Sequence, residues 1–141
     1  SVIYGATPAA GKVNFALWLI EKLRKGERVR IVTDQWNTPT LNTNLAEMTL
    51  EVIERRLNGI YHTCGATRVS RFEFAIQIAD CFGLDKNLIN KVSAADFTWP
   101  AKRPVDSSLD TSLAHRTLNC KPLPMTRALE TLKAELNEKQ V

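Results

Sequence analysis

The segment from Val29 to Thr40, V-R-I-V-T-D-Q-W-N-T-P-T, constrains the fold more than any other stretch. Val29, Ile31 and Val32 favour extended backbone, and the run breaks at Thr33-Asp34-Gln35, a polar, turn-prone cluster. A strand that ends this way projects polar side chains from its C-terminal edge, where ligands bind in open α/β sheets. Pro39 fixes its own φ, removes a backbone donor and holds Thr38 extended. Thr38-Pro39-Thr40 is therefore predicted to form a rigid corner and not a second strand, joining a polar lip to a helix.

The rest of the chain alternates strand and helix, the pattern of an α/β fold. A strand is predicted over Ser1–Tyr4, then a loop from Gly5 to Gly11, then a helix from Val13 to Lys25 that stops at Gly26. Phe15, Trp18 and Leu19 should pack inside. Asn14, at the start of that helix, can cap it or bond a ligand. A second helix is expected from Asn42 to Leu57, with Asn44 and Glu47 in a capping arrangement, followed by a short strand at Ile60–Thr63. Ser70-Arg71-Phe72-Glu73 reads as a capping box for a helix over Ser70–Phe82, ended by Gly83. Beyond it come a helical turn at Asp85–Leu88, a strand at Ile89–Val92 and a loop over 93–105 held by Pro100 and Pro104. A strand at Ser107–Leu109, a short helix at Thr111–Leu118 and a last helix from Thr126 to about Lys139 complete the expectation.

At 141 residues, 44% hydrophobic and 24% charged, the chain holds enough apolar residues for one core. No apolar run approaches the roughly 18 residues of a membrane span, so no membrane partner is expected. The net charge of +4 raises the possibility of nucleic-acid binding. Its basic residues alternate with acids along the helices (Glu21-Lys22, Glu54-Arg55-Arg56), which leaves no binding stripe, and no nucleic-acid partner is expected. Cys64, Cys81 and Cys120 are odd in number and widely spaced, which fits a reducing, cytoplasmic setting better than a disulfide framework. With His62 and His115 they match no zinc spacing, and no metal is expected.

D-Q-W-N-T-P-T also resembles the D-Q-x-G-x-P-T segment of the dTDP-4-dehydrorhamnose reductases, members of the extended short-chain dehydrogenase/reductase superfamily. Further matches follow in family order: Tyr4-Gly5, Asn14-Phe15, G-I-Y-H from Gly59, S-R-F-E-F-A from Ser70, and A-K-R-P-V-D-S-S-L-D-T from Ala101 to Thr111. They correspond to the family's C-terminal half. The resemblance implies the C-terminal portion of an NAD(P)-binding, Rossmann-like α/β enzyme, with residues 1–141 a single substrate-binding segment. The implied activity of the full enzyme is reduction of the C4 keto group of dTDP-4-dehydro-L-rhamnose by NADPH or NADH, in dTDP-L-rhamnose biosynthesis. In such enzymes the N-terminal half carries a G-x-x-G-x-x-G turn and a Tyr-x-x-x-Lys pair. Here Gly5 does not begin the full glycine spacing, Tyr4 is followed at the fourth place by Pro8, and Tyr61 by Gly65. The segment is thus expected to bind no cofactor and to be inactive alone. Ser1 stands where a strand should already be running, so the chain is read as a piece that needs its N-terminal half. Its open strand edges would favour a homodimer.

The resemblance also proposes binding residues for a dTDP-sugar. Arg103, in the R-P-x-D match, is the candidate for the diphosphate, because a guanidinium fork bonds two phosphate oxygens. Asp106 is its alternative partner. Lys102 adds charge beside it, Gln35 offers an amide to base or sugar, Trp36 a ring face, and Asn14 an amide. Asn37 stands at the usual glycine and is expected to tolerate φ > 0. Val2 stands where many relatives carry Trp. A non-catalytic relative, similar to the regulatory subunit of methionine adenosyltransferase, remains the alternative that these motifs allow.

Overall fold

Short strands tied in pairs, with helices packed across them, carry this backbone. The computed structural model describes residues 2–8 and 11–139. Ser1 of the expected first strand and Ala9-Ala10 of the expected loop lie outside them. In chain order the elements are β1 (Ile3–Tyr4), α1 (Phe15–Arg24), β2 (Val29–Val32), β3 (Trp36–Asn37), β4 (Thr40–Leu41) and α2 (Asn42–Glu54). Then follow β5 (Val69–Ser70), α3 (Arg71–Phe82), β6 (Ile89–Val92), α4 (Ser112–Thr117) and α5 (Met125–Glu138), with single 3₁₀ turns at Lys86–Leu88 and Ala94–Asp96. β1 pairs with β4 and β2 with β6, both parallel, while β3 and β5 are antiparallel. The α/β reading holds. No helix among the described residues is long and apolar enough to cross a membrane.

One core gathers the helices against β1 and β2. Tyr4 and Phe74 meet at its centre with ring centroids 5.1 Å apart, and Phe15 stacks on Phe74 at 5.5 Å. Leu19, Ile78, Leu129 and Leu132, all fully buried, close the space between α1, α3 and α5. Helix α3 has the ends its sequence prescribes: Ser70 and Glu73 form a reciprocal capping box, and Gly83 ends the helix at φ 65°. A second small cluster joins Met48 of α2 to Ala114 and Leu118.

Four expectations are overturned by how the chain pairs in three dimensions. Residues Ile60–Thr63 form no strand: no described strand lies beside them to take their backbone groups, and Ile60 is 82% exposed. Ser107–Leu109 is not a strand either, the pairing there being a single bridge between Trp36 and Asp106. Conversely, the Thr38-Pro39-Thr40 corner is flanked by two-residue strands, because Thr40 meets Ile3 and Asn37 meets Val69 across their ladders. Asn44 does not cap α2. It is buried at the foot of the α4–α5 connection, donating to Lys121 O at 3.1 Å and accepting from Leu123 N at 3.2 Å.

Gly65 fixes the corner from below. Its N–H donates to Thr40 Oγ1 at 3.1 Å, and a methyl group added there would collide with the carbonyl oxygen of Pro39. The contact is backbone to backbone, so relief requires moving the lip itself. Gly65→Ala should therefore destabilise the chain by about 1–3 kcal/mol or more. Urea unfolding checks this, and an unchanged midpoint would mean the corner can shift freely.

Candidate functional site

The polar lip after β2 is fastened at nearly every residue. Asp34 accepts from Ser93 Oγ at 2.7 Å and from Ala94 N at 2.8 Å, which anchors the start of the 93–105 loop. These bonds, that from the Ser93 hydroxyl foremost, hold the Asp34 carboxyl below its usual pKa. Trp36 N donates to Val105 O at 2.8 Å and Ser107 N to Trp36 O at 2.9 Å, tying the far end of the same loop back to the lip. Arg71 N donates to Gln35 O at 3.0 Å, which sets the first turn of α3 against the strand end.

These ties bring Gln35, Trp36, Asn37, Arg71, Arg103 and Ser107 around one cavity of about 190 Å³, with Val2 and Pro104 completing its wall. Three of the expected binding residues, Gln35, Trp36 and Arg103, thus meet. Two do not. Lys102 is exposed and outside the cavity wall. Asn14 is occupied as the cap of α1, accepting from Leu17 N at 3.1 Å and donating to Gly5 O at 2.8 Å.

Arg103 is not held by Asp106. That carboxylate accepts from Ser108 Oγ at 2.6 Å, from Ser108 N at 2.9 Å and from Arg68 Nη2 at 2.7 Å. Arg103 stacks instead over Trp99, its guanidinium carbon 4.7 Å from the ring centroid, and Trp99 Nε1 donates to Ala94 O at 3.2 Å. Arg68 covers one face of Trp36 at 4.2 Å, so only the other face of that indole is available.

Arg71 is the residue that sequence reading passed over. It was visible only as part of the S-R-F-E capping box, where its position counts and its charge does not. It is half-buried, and that burial, with the positive charge of Arg103 second, lowers its pKa from the ordinary arginine value. Neither guanidinium is paired with a carboxylate among the described residues. Two neighbouring cations without a counter-charge favour an anion between them, and their forks suit phosphate oxygens. A larger hollow of about 520 Å³ lies between α3 and α5, but its charged residues are Asp80, Glu130 and Lys133, a mixture that does not select an anion.

Residues 1–138 match the family model of the RmlD substrate binding domain. The chain belongs to that family. It is 32% identical over 139 residues to a probable low-salt glycan biosynthesis reductase, Agl14, of Haloferax volcanii, covering 98% of this chain and 46% of that protein. It is 29% identical over 132 residues to the dTDP-4-dehydrorhamnose reductase of Aggregatibacter actinomycetemcomitans, covering 86% and 45%. The crystal structure of the Bacillus anthracis dTDP-4-dehydrorhamnose reductase in complex with NADP superposes with a TM-score of 0.84 at 27% identity, covering 96% of this chain and 46% of that one. The RmlD-type domain described here thus spans a little under half the length of these relatives.

Gly5 does not form the phosphate-holding turn of a nicotinamide dinucleotide. Such a turn uses glycines whose missing side chains leave room for the pyrophosphate. At Gly5 that room is filled by the Asn42 carboxamide. Nor is Tyr4 placed as a proton donor: it is buried in the core, its hydroxyl faces Met125 Sδ at 3.9 Å, and burial pushes its pKa well above the usual value.

Asp106 links cavity and stability. The Ser108 hydroxyl, the Ser108 N–H and then Arg68 lower its pKa from 3.8 to about 2. Across that interval the unfolded chain binds more protons than the folded one. The stabilisation is therefore full above about pH 4 and is lost as pH falls through about 2. Urea unfolding of Asp106→Asn beside the parent chain between pH 5 and 2 should show a gap that closes on acidification. A gap that stays constant would remove Asp106 as the titrating group.

Proposed function

We propose that this domain grips the diphosphate of a dTDP-sugar for a dTDP-4-dehydrorhamnose reductase, with Arg103 and Arg71 as the paired phosphate ligands. The observation that carries the reading is the convergence of two unpaired guanidiniums on the cavity of the D-Q-W-N lip. Gln35 and the free face of Trp36 border the same space and supply contacts to sugar or base. A cavity of about 190 Å³ is smaller than the roughly 300–1,000 Å³ of a whole-ligand site. It suits part of a nucleotide-sugar, the remainder being held by the other half of the enzyme.

In this reading the reaction of the complete protein is reduction of the C4 keto group of dTDP-4-dehydro-L-rhamnose by NADPH or NADH. Hydride source and proton donor belong to the N-terminal half. The part played by this domain is orientation: the diphosphate, fixed at two points, sets where the hexulose ring lies. The isolated domain turns over no substrate.

Calorimetric titration with dTDP tests this directly. Arg103→Ala should weaken binding by about 1–3 kcal/mol, the range for a lost charge-assisted hydrogen bond. A folded sample that binds no dTDP, or one whose affinity ignores Arg103, would overturn the assignment.

A further inference from the structure

Asn37 carries a feature that its backbone does not require. Its position in the resembled motif belongs to glycine, and a positive φ would explain an asparagine there. The backbone is ordinary: Asn37 sits in β3 opposite Val69, and the only non-glycine with positive φ among the described residues is Arg56. The side chain is 3% exposed and borders the arginine cavity, yet its Oδ1 accepts no hydrogen bond among the described residues. A buried acceptor without a donor is destabilising, and such groups in native folds are few.

We propose that Asn37 is a specificity residue of the nucleotide-sugar site, its Oδ1 receiving a neutral O–H or N–H donor of the ligand beside the diphosphate. The inference rests on the reading above that this cavity takes a dTDP-sugar. Arg71 and Arg103 supply only donors, so they hold phosphate and cannot recognise a hydroxyl by accepting from it. Asn37 adds an unpaired acceptor beside Gln35 at the same cavity. Donors of this kind come from two places on such a ligand, the hydroxyls of the hexose or the imide N–H of the base. A site with a buried acceptor rejects ligands that lack the matching donor, because the acceptor then stays unpaired.

The test compares the parent chain with Asn37→Leu and Asn37→Gly, titrated with inorganic pyrophosphate, dTDP and dTDP-glucose. Both variants should bind pyrophosphate as the parent does and dTDP-glucose about tenfold more weakly. A loss already present with dTDP assigns the donor to the nucleoside, and a loss confined to dTDP-glucose assigns it to the hexose. Without ligand, Asn37→Leu should melt at a higher temperature than the parent, since an unpaired buried acceptor has been removed. Unchanged dTDP-glucose affinity with pyrophosphate binding intact would overturn the role of Asn37 alone. Equal weakening of pyrophosphate and dTDP-glucose, with a lowered melting temperature, would make Asn37 structural. No binding of pyrophosphate or dTDP-glucose by the folded parent would overturn the site reading itself.

Discussion

The approach of Pro39 to Gly65 is the contact on which the remaining arrangement depends. It leaves no space for a side chain at residue 65, and so fixes the height of the corner between β3 and β4. On one side of that corner Thr40 and Leu41 complete the ladder with β1. On the other, Asn37 and Trp36 pair with β5, whose last residue is the cap of α3. Moving the corner would disturb Tyr4 in the core and Arg71 at the cavity together. Packing and site are thus two faces of one segment.

Such fastening has a thermodynamic consequence. The lip is held by backbone bonds to Val105, Ser107 and Arg71 and by the Asp34 carboxylate, so its side chains lose their freedom during folding. On the proposed reading, a ligand arriving at Gln35, Trp36 and Asn37 meets groups already in position, and less ordering opposes binding. The same rigidity keeps two unfavourable features in place: neighbouring guanidiniums without a counter-charge, and a buried amide oxygen without a donor. A free chain would relax both. Both lie at one cavity, the cavity proposed above as the ligand site, although a second unpaired amide oxygen, that of Asn42, lies beside Gly5 and away from it.

What the sequence made legible follows from the range of each signal. The capping box of Ser70 and Glu73 and the Gly83 stop depend on neighbours a few residues away, and the structure has both; the strands at 29–32 and 89–92 form because each is the other's partner. Ile60–Thr63 and Ser107–Leu109 have the composition of strands, but a strand exists only with a partner, and composition cannot supply one. Asn44 next to Glu47 resembled a local cap, yet Asn44 bonds to Lys121 and Leu123, more than seventy residues on. At the site, Gln35, Trp36 and Arg103 were readable from motif spacing. Arg71 was not, because its significance comes from lying against Gln35 and near Arg103, a fact of tertiary packing. Asn37 was readable as a departure, and its backbone angle shows that conformational tolerance does not account for it.

The distribution of chemistry along the chain argues for a division of labour. Three groups that a ligand site could have used are committed to structure: Tyr4 to the core beside Phe74, Gly5 to the Asn42 side chain, and Asn14 to the cap of α1. At the cavity of the lip the two arginines have no carboxylate partner among the described residues, and on the proposed reading they and the amides beside them bind without carrying protons or hydrides. On the proposed reading such a domain fixes where a phosphorylated ligand lies, and the choice of reaction falls to the surface that faces it. If the proposed grip is right, differences among such domains should concentrate in residues like Asn37, at the edge of the arginine pair and not within it, because a change there would alter which ligand fits while leaving both guanidiniums in place.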